Sequence, residues 1–291
     1  MNISESEILF VINPRAGKRN IDNILKTIKK INKGIKYIIN DNLDDLDIQM
    51  KNEFDNFKVF VAVGGDGTVN SLMKYLINRD DKALAVLPLG SGNGFAKELG
   101  FKYDIATLLE QIKKGETLLI DVLKINGNSF INMAGIGFDA VIAHDFQKSE
   151  TRGFFNYLIS TFKTYFTYKP IEVTIKIDGK EMVGKFQMIS IANTRQFGNN
   201  AFISPMSRPD DGKFDVVLLK TVPFFSAFPF IYKVFTGNLK ENLYLKYLSC
   251  DSTITIETNC KKYHIDGDPM FSDGKYEVSI HKKCLKILKT Q

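Results

Sequence analysis

Residues 64–70 read Gly-Gly-Asp-Gly-Thr-Val-Asn and follow directly on the apolar run 58–63, Lys-Val-Phe-Val-Ala-Val. Three glycines, a carboxylate and a hydroxyl behind a buried strand are the residue types that bring main chain against a phosphorylated ligand. Glycine tolerates φ > 0 and close backbone approach. The N–H groups of Gly64, Gly65, Asp66 and Gly67, with a helix that starts at Thr68, Val69 and Asn70, form a concavity suited to anions. The Asp66 carboxylate would repel bare phosphate, so its presence calls for a bridging cation such as Mg²⁺. The alternative is a tight strand-to-helix turn capped by Asp, but a single glycine would satisfy that. On the metal reading, removing Asp66 abolishes chemistry and leaves the fold intact.

Two further loops share this composition: residues 13–18, Asn-Pro-Arg-Ala-Gly-Lys, and residues 88–94, Pro-Leu-Gly-Ser-Gly-Asn-Gly. The elements that must position them are short apolar runs at 8–12, 35–39, 59–63 and 83–87, alternating with amphipathic stretches. The stretch 21–31, for example, repeats apolar residues at Ile21, Ile24, Leu25, Ile28 and Ile31. Continuous β-branched strands between helices predict a parallel sheet covered on both faces. Ligands gather beyond the carboxyl ends of such strands. All three loops follow predicted strands, so the topology is expected to bring them to one edge.

Beyond about residue 121 the texture changes to short β-prone runs between turn signals, at 130–133, 172–177, 186–191, 214–219, 252–256 and 276–280. This predicts an antiparallel, strand-dominated second domain. The boundaries expected are 1–122 and 123–291. Two aromatic-rich segments interrupt the pattern. In 154–168, Phe155, Leu158, Phe162 and Tyr165 recur at helical spacing between Lys163 and Lys169, and core packing is favoured over lipid contact. The other segment is 224–235, Phe-Phe-Ser-Ala-Phe-Pro-Phe-Ile-Tyr-Lys-Val-Phe.

At 291 residues, with 44% hydrophobic and 25% charged residues, the chain can bury substantial cores. The net charge of +6 is spread along it, which suits acidic small molecules or anionic lipid surfaces and not sequence-specific nucleic acid binding. Cys250, Cys260 and Cys284 form no CxxC, and Cys260 with His264 is too little for a zinc site. A reducing cytoplasm is expected. Residues 1–7 lack the pattern of a signal peptide, and no apolar stretch reaches the length of a membrane span.

Taken together, the loops resemble those of the bacterial lipid kinases of the diacylglycerol kinase catalytic type, relatives of sphingosine and ceramide kinases. Asn13 and Pro14 with Gly17 and Lys18 resemble the family's first nucleotide loop, and 64–70 its central signature. Residues 88–93 resemble its third loop in a Gly-Ser-Gly-Asn form. Asp121 is similar to a family Asp at the domain junction. The segments 132–139, 210–215 and 265–269 resemble successive motifs of the second domain. The resemblance implies an α/β fold: an N-terminal three-layer parallel-sheet nucleotide-binding domain, then a C-terminal antiparallel β-sandwich-like lipid-substrate domain, with the active site in the cleft between them.

It further implies ATP bound by Asn13, Pro14, Arg15, Ala16, Gly17, Lys18, Asn40, Gly64 through Asn70, Ser91 and Asn93, with Asp66 on the nucleotide's Mg²⁺. A second magnesium site would use Asp211, main-chain carbonyls near Arg208 and Lys213, and a network toward Asp121. From sequence alone, a turn capped by Asp211 is equally compatible. Two departures stand out. Ser71 replaces a frequent Glu, and Asp268 replaces the Glu that serves relatives as catalytic base, its carboxylate one methylene closer to the backbone. Asp266 is an alternative base, and His264 reads as a strand residue. The expected partners are a lipid alcohol substrate and, peripherally, the inner face of the membrane, which the net charge and segment 224–235 would suit. Oligomeric state is left open, a dimer included. The alternatives are an NAD kinase, or a nucleotide- or lipid-binding protein without turnover.

Overall fold

The computed structural model describes residues 3–17, 21–31, 34–40, 43–90, 92–148, 161, 164–165 and 167–290. The chain divides into two compact units, Met1–Ile120 with Lys283–Gln291, and Asp121–Lys282.

In the first unit, β1 (Ile8–Ile12), β2 (Lys36–Ile39), β3 (Val59–Gly64) and β4 (Ala83–Pro88) run parallel in the order β2-β1-β3-β4. Every residue of β1 and β3 is buried, as a sheet covered on both faces requires. The intervening helices are α1 (Ile21–Ile31), α2 (Leu43–Glu53), α3 (Asp66–Leu76), α4 (Gly94–Glu98) and α5 (Ile105–Lys114). Their apolar stripes turn inward: Ile24 and Ile28 of α1, and Val69, Leu72, Met73 and Leu76 of α3. Asp104 caps α5 by accepting the N–H groups of Ala106 and Thr107 at 3.0 and 3.2 Å. The end of the chain joins this unit. Ile287 pairs in parallel with Leu84, and the Asn78 N–H donates to the Cys284 carbonyl at 2.7 Å.

A connecting strand, β5 (Thr117–Ile125), leads into the second unit. There follow β6 (Asn128–Phe130), β7 (Met133–Gly137), α6 (Phe138–Lys148), β8 (Ile171–Ile177), β9 (Lys180–Phe186), β10 (Met188–Ala192), β11 (Phe214–Leu219), α7 (Phe224–Thr236), β12 (Leu245–Cys250), β13 (Ile254–Thr258), β14 (Lys262–Ile265), β15 (Asp268–Phe271) and β16 (Lys275–Leu288). One antiparallel sheet has the order β12-β11-β10-β7-β14-β15. A second antiparallel run is β16-β13-β8-β9. Alternate residues of both, among them Ile136, Ile189, Ile191 and Val216 from the first and Val173, Ile175, Ile254 and Val278 from the second, close one core. That is a β-sandwich.

The run at 186–191 is two strand ends and not one strand: Phe186 closes β9 and Met188 opens β10. In the aromatic stripe at 154–168, Phe155, Leu158, Phe162 and Lys163 lie outside the described residues. Tyr168, at its end, packs on the sandwich core, and the Tyr165 hydroxyl donates to the Val222 carbonyl.

Candidate functional site

The three glycine loops leave the carboxyl ends of β1, β3 and β4 and are bonded to one another. The Asn13 N–H donates to the Val63 carbonyl at 3.0 Å, and the Asn13 side-chain amide reaches the Thr68 hydroxyl at 3.2 Å. The Leu89 N–H donates to the Gly64 carbonyl at 2.8 Å. Because β1 lies between β2 and β3, the chain leaves these neighbouring strand ends in opposite directions, which opens a crevice where ligands of such sheets bind. Asn40, at the end of β2, sits on the same edge, its N–H on the Ile12 carbonyl at 2.8 Å.

The glycines serve the packing of these loops. A Cβ on Gly90 would stand 2.7 Å from the Gly65 Cα, and one on Gly64 would strike the Thr68 hydroxyl at 2.1 Å. Gly17 has φ +71°, and a Cβ there would meet the Leu89 carbonyl oxygen at 2.3 Å. Around Gly92, by contrast, a Cβ meets, among the described residues, only one Asp66 oxygen, at 3.6 Å. Gly65 starts α3 without a side-chain cap. The amides of Asp66 and Gly67 then open a helix whose dipole favours an anion. Arg15 is bound to loop one through its N–H on the Asn13 side chain at 2.9 Å, and Ala16 through its N–H on the Asn13 carbonyl at 3.2 Å. Lys18 and Ser91 lie outside the described residues.

Asp66 has a structural duty that its sequence context hides. Its two carboxylate oxygens accept the N–H groups of Gly94 and Phe95 at 3.0 and 3.1 Å, which ties α3 to the start of α4. Burial pushes its carboxyl above the ordinary range, and those two amides pull it back. The carboxylate therefore joins two elements of the first unit, a role beside the metal-holding one expected of it. Asn40 and Asn93 each bury a side-chain oxygen that has no hydrogen-bond partner among the described residues. A buried polar atom left without a partner calls for an explanation, and these two stand on loops at the carboxyl edge of the sheet.

In the second unit, Asp121 is fully buried and its carboxylate accepts the Gly212 N–H at 2.7 Å. Gly212 has φ +74°. Asp211 is exposed and its oxygen accepts the Lys213 N–H at 3.0 Å, the Asp-capped turn. Arg208 pairs with Asp210 at 3.2 Å. Asp121 and the 208–213 loop are thus brought together. Among the described residues, however, no three His, Cys, Asp or Glu side chains converge to hold a metal ion. The donors present are oxygens, which suit a hard cation such as Mg²⁺ only if carbonyls, water or phosphate complete its shell.

Asp266 and Gly267 form the two-residue turn between β14 and β15, with φ +50° and +90°, as a type I′ hairpin demands. Asp266 is spent on structure: its N–H donates to the Met133 carbonyl at 2.8 Å and its carboxylate accepts the Met133 N–H at 2.7 Å. Asp268 follows, exposed at the start of β15. Partial desolvation pushes its carboxyl upward, opposed by His264.

Beneath the turn lies a buried cluster that sequence reasoning did not assign. His264 Nε2 faces Asp139 Oδ2 at 3.3 Å, and the Ser190 hydroxyl donates to the same oxygen at 3.2 Å. His264 Nδ1 accepts the Gly267 N–H at 3.3 Å, so the proton sits on Nε2 and points at Asp139. A Cβ on Gly135 would strike both partners, at 2.0 and 2.4 Å. Gly135 and Asp139 were visible as part of 132–139, but no local signal links them to His264, 125 residues away from Asp139.

The model of the diacylglycerol kinase catalytic domain matches residues 7–125, and that of the YegS C-terminal NAD kinase beta sandwich-like domain matches residues 132–289. The chain is 33% identical to a diacylglycerol kinase of Bacillus subtilis over 168 residues, 56% of this chain and 55% of that protein. It thus matches little more than half of that relative's length. It is 24% identical to a diacylglycerol kinase of Staphylococcus aureus over 219 residues, 72% of this chain and 70% of that one. A diacylglycerol kinase structure from Bacillus anthracis shares the fold, with a TM-score of 0.72, 19% identity and coverage of 98% of this chain and 97% of that one. With one model on each half and the same fold in a solved structure, the chain belongs to the diacylglycerol kinase catalytic-domain family, in the form that carries the YegS-type sandwich as its second half.

Proposed function

We propose that this protein is an ATP- and Mg²⁺-dependent lipid kinase that phosphorylates the hydroxyl of a lipid alcohol of the diacylglycerol, sphingoid or ceramide type. The observation that carries the reading is the junction of three glycine loops at the switch point of a parallel sheet, beside the uncapped start of α3. Phosphoryl transfer needs mainly positioning and charge neutralisation from the protein. Main-chain amides of the loops would hold the phosphates, with Lys18 adding charge. The orphan oxygens of Asn40 and Asn93 would accept hydrogen bonds from the nucleotide. Bound magnesium would neutralise phosphate charge, with Asp66 holding it through water and Asp121 with Asp211 supporting a further ion.

Asp268 would take the proton of the attacking hydroxyl, because it is the exposed carboxylate of its turn whereas Asp266 is occupied. The enzyme would work in the cytoplasm, peripherally on the membrane's inner face, toward phospholipid synthesis. The shortened base supports a second reading, a nucleotide- or lipid-binding protein without turnover. An NAD kinase, the enzyme rival, has no use for the aromatic segment 224–235. Measuring ATP consumption with a dispersed lipid alcohol and, separately, with NAD tests all three. Consumption with lipid alone is expected. Consumption with NAD alone would overturn the reading, and ATP binding without consumption would favour the non-turnover protein.

A further inference from the structure

A thirteen-residue helix whose one charged side chain is Lys233 belongs in a core or at a membrane, yet α7 buries none of its residues. Its inner side, Phe230 and Val234, packs partly on the unit. Its outer side should then be polar, and it is aromatic. Phe225, Phe228 and Tyr232 follow one another at i, i+3 and i+7 and are 91%, 62% and 69% exposed. Phe224 stacks edge-on against Phe225 and Phe228 at 5.9 and 5.6 Å, so the outer rings form one patch. Single exposed apolar residues are ordinary, but a contiguous patch marks a contact surface.

Charge identifies the partner. Between residues 216 and 250 there are four lysines, Lys220, Lys233, Lys240 and Lys246, against one acid, Glu241. All four lysines are exposed. An open groove of about 680 Å³ on the same unit is lined by Val183, Leu218 and Leu243, by Lys220, Lys246 and Glu241, and by Lys185, which pairs with Glu172 at 2.9 Å. Exposed apolar rings on a segment whose exposed charges are mostly lysines match the acyl boundary and phosphates of an anionic bilayer. A second copy of this chain is a poorer occupant, since an isologous contact would set the same lysines against one another. No helix among the described residues is long and apolar enough to cross a membrane, and α7, at about 20 Å, is shorter than a hydrocarbon core.

We propose that α7 lies in the plane of an anionic phospholipid surface, with Phe225, Phe228 and Tyr232 inserted and Lys220, Lys233, Lys240 and Lys246 on the headgroups. The choice of a bilayer rests on the lipid-kinase reading, but docking is measurable without turnover. The chain has no tryptophan, so Phe225→Trp supplies a fluorophore free of background. Vesicles of phosphatidylcholine, alone or mixed with phosphatidylglycerol, are added without nucleotide. A blue shift with the anionic vesicles only, reversed by salt, is the expected result. In co-sedimentation, Phe228→Ser with Tyr232→Ser lowers affinity roughly tenfold or more. Lys220→Gln and Lys246→Gln lower it about fivefold each. Because these side chains are exposed, circular dichroism should match wild type. No shift with either vesicle, or equal shifts with both, would overturn the proposal. So would a shift that grows with protein concentration in the absence of lipid together with a doubled mass, which makes α7 a dimer face. Vesicle binding by a protein that phosphorylates no lipid would leave the docking standing and sink the kinase reading instead.

Discussion

At the level of single residues, the two carboxylates singled out for chemistry have different surroundings, and their variants should behave differently. Asp66→Ala leaves the Gly94 and Phe95 amides without their acceptor, a loss of about 1–3 kcal/mol. A urea melt should register that destabilisation alongside lost turnover, and a variant as stable as wild type would refute the capping role. Asp268 is exposed at a hairpin end, so Asp268→Asn should keep wild-type stability while turnover falls by about 10²–10⁴. Asp268→Glu should retain or raise activity. Asp266→Asn exchanges one acceptor oxygen for a donor and should show its effect mainly in stability. If Asp266→Asn is stable but dead while Asp268→Asn is active, the base is Asp266. Desolvation raises the Asp268 carboxyl, and a base acts deprotonated. Turnover should therefore rise with pH through a pKa above the usual carboxylate range, and that limb should vanish in Asp268→Asn. The turn of 64–70 from a buried strand into a helix was legible in its residue types. The Asp66 contacts were not, because they join residues 28 and 29 positions apart through the fold alone.

Between elements, the glycines separate packing from ligand approach. Gly90→Ala drives a Cβ into the Gly65 Cα, so both stability and ATP affinity should fall. Gly92→Ala meets, among the described residues, only an Asp66 oxygen at 3.6 Å, so its stability should match wild type, and any loss of ATP affinity in titration reports crowding of the ligand itself. Wild-type ATP binding by Gly90→Ala would mean that the joined loops are not the nucleotide site. The four parallel strands of the first unit were readable to within a residue, because β1, β3 and β4 are uninterrupted buried apolar runs and β2, though only Ile38 is buried in it, still carries Tyr37, Ile38 and Ile39 in a row. Asp178-Gly179, an Asp-Gly turn signal directly after the run at 172–177, makes the turn between β8 and β9 with φ of +48° and +75°. Of the short strands β14 and β15, only His264 announced itself as a strand residue, since four residues carry little periodicity. Nor did the return of the closing segment to pair with β4, a contact 203 residues apart in sequence between Ile287 and Leu84.

For the whole molecule, the net charge of +6 and the exposed lysines of segment 216–250 should make activity depend on the form in which substrate is offered. Raising salt from low to about 1 M shortens the screening length from tens of Å to about 3 Å. Turnover of a lipid alcohol embedded in anionic vesicles should fall across that range, while turnover of a short-chain alcohol in neutral detergent micelles should change little. Equal salt sensitivity in both would place the effect on ATP binding and not on docking. The order of the motifs along the chain made the family legible from sequence, since six loops in the same sequence on both halves resist coincidence. Which hydroxyl is phosphorylated was not legible, because that choice depends on how side chains far apart in sequence shape the acceptor site. The most direct measurement is incubation of the purified protein with γ-labelled ATP, magnesium and a total lipid extract, followed by organic extraction. A labelled lipid phosphomonoester, absent with Asp268→Asn, is the predicted result. Label confined to ATP and inorganic phosphate, or carried by a water-soluble nucleotide, would contradict the lipid-kinase assignment.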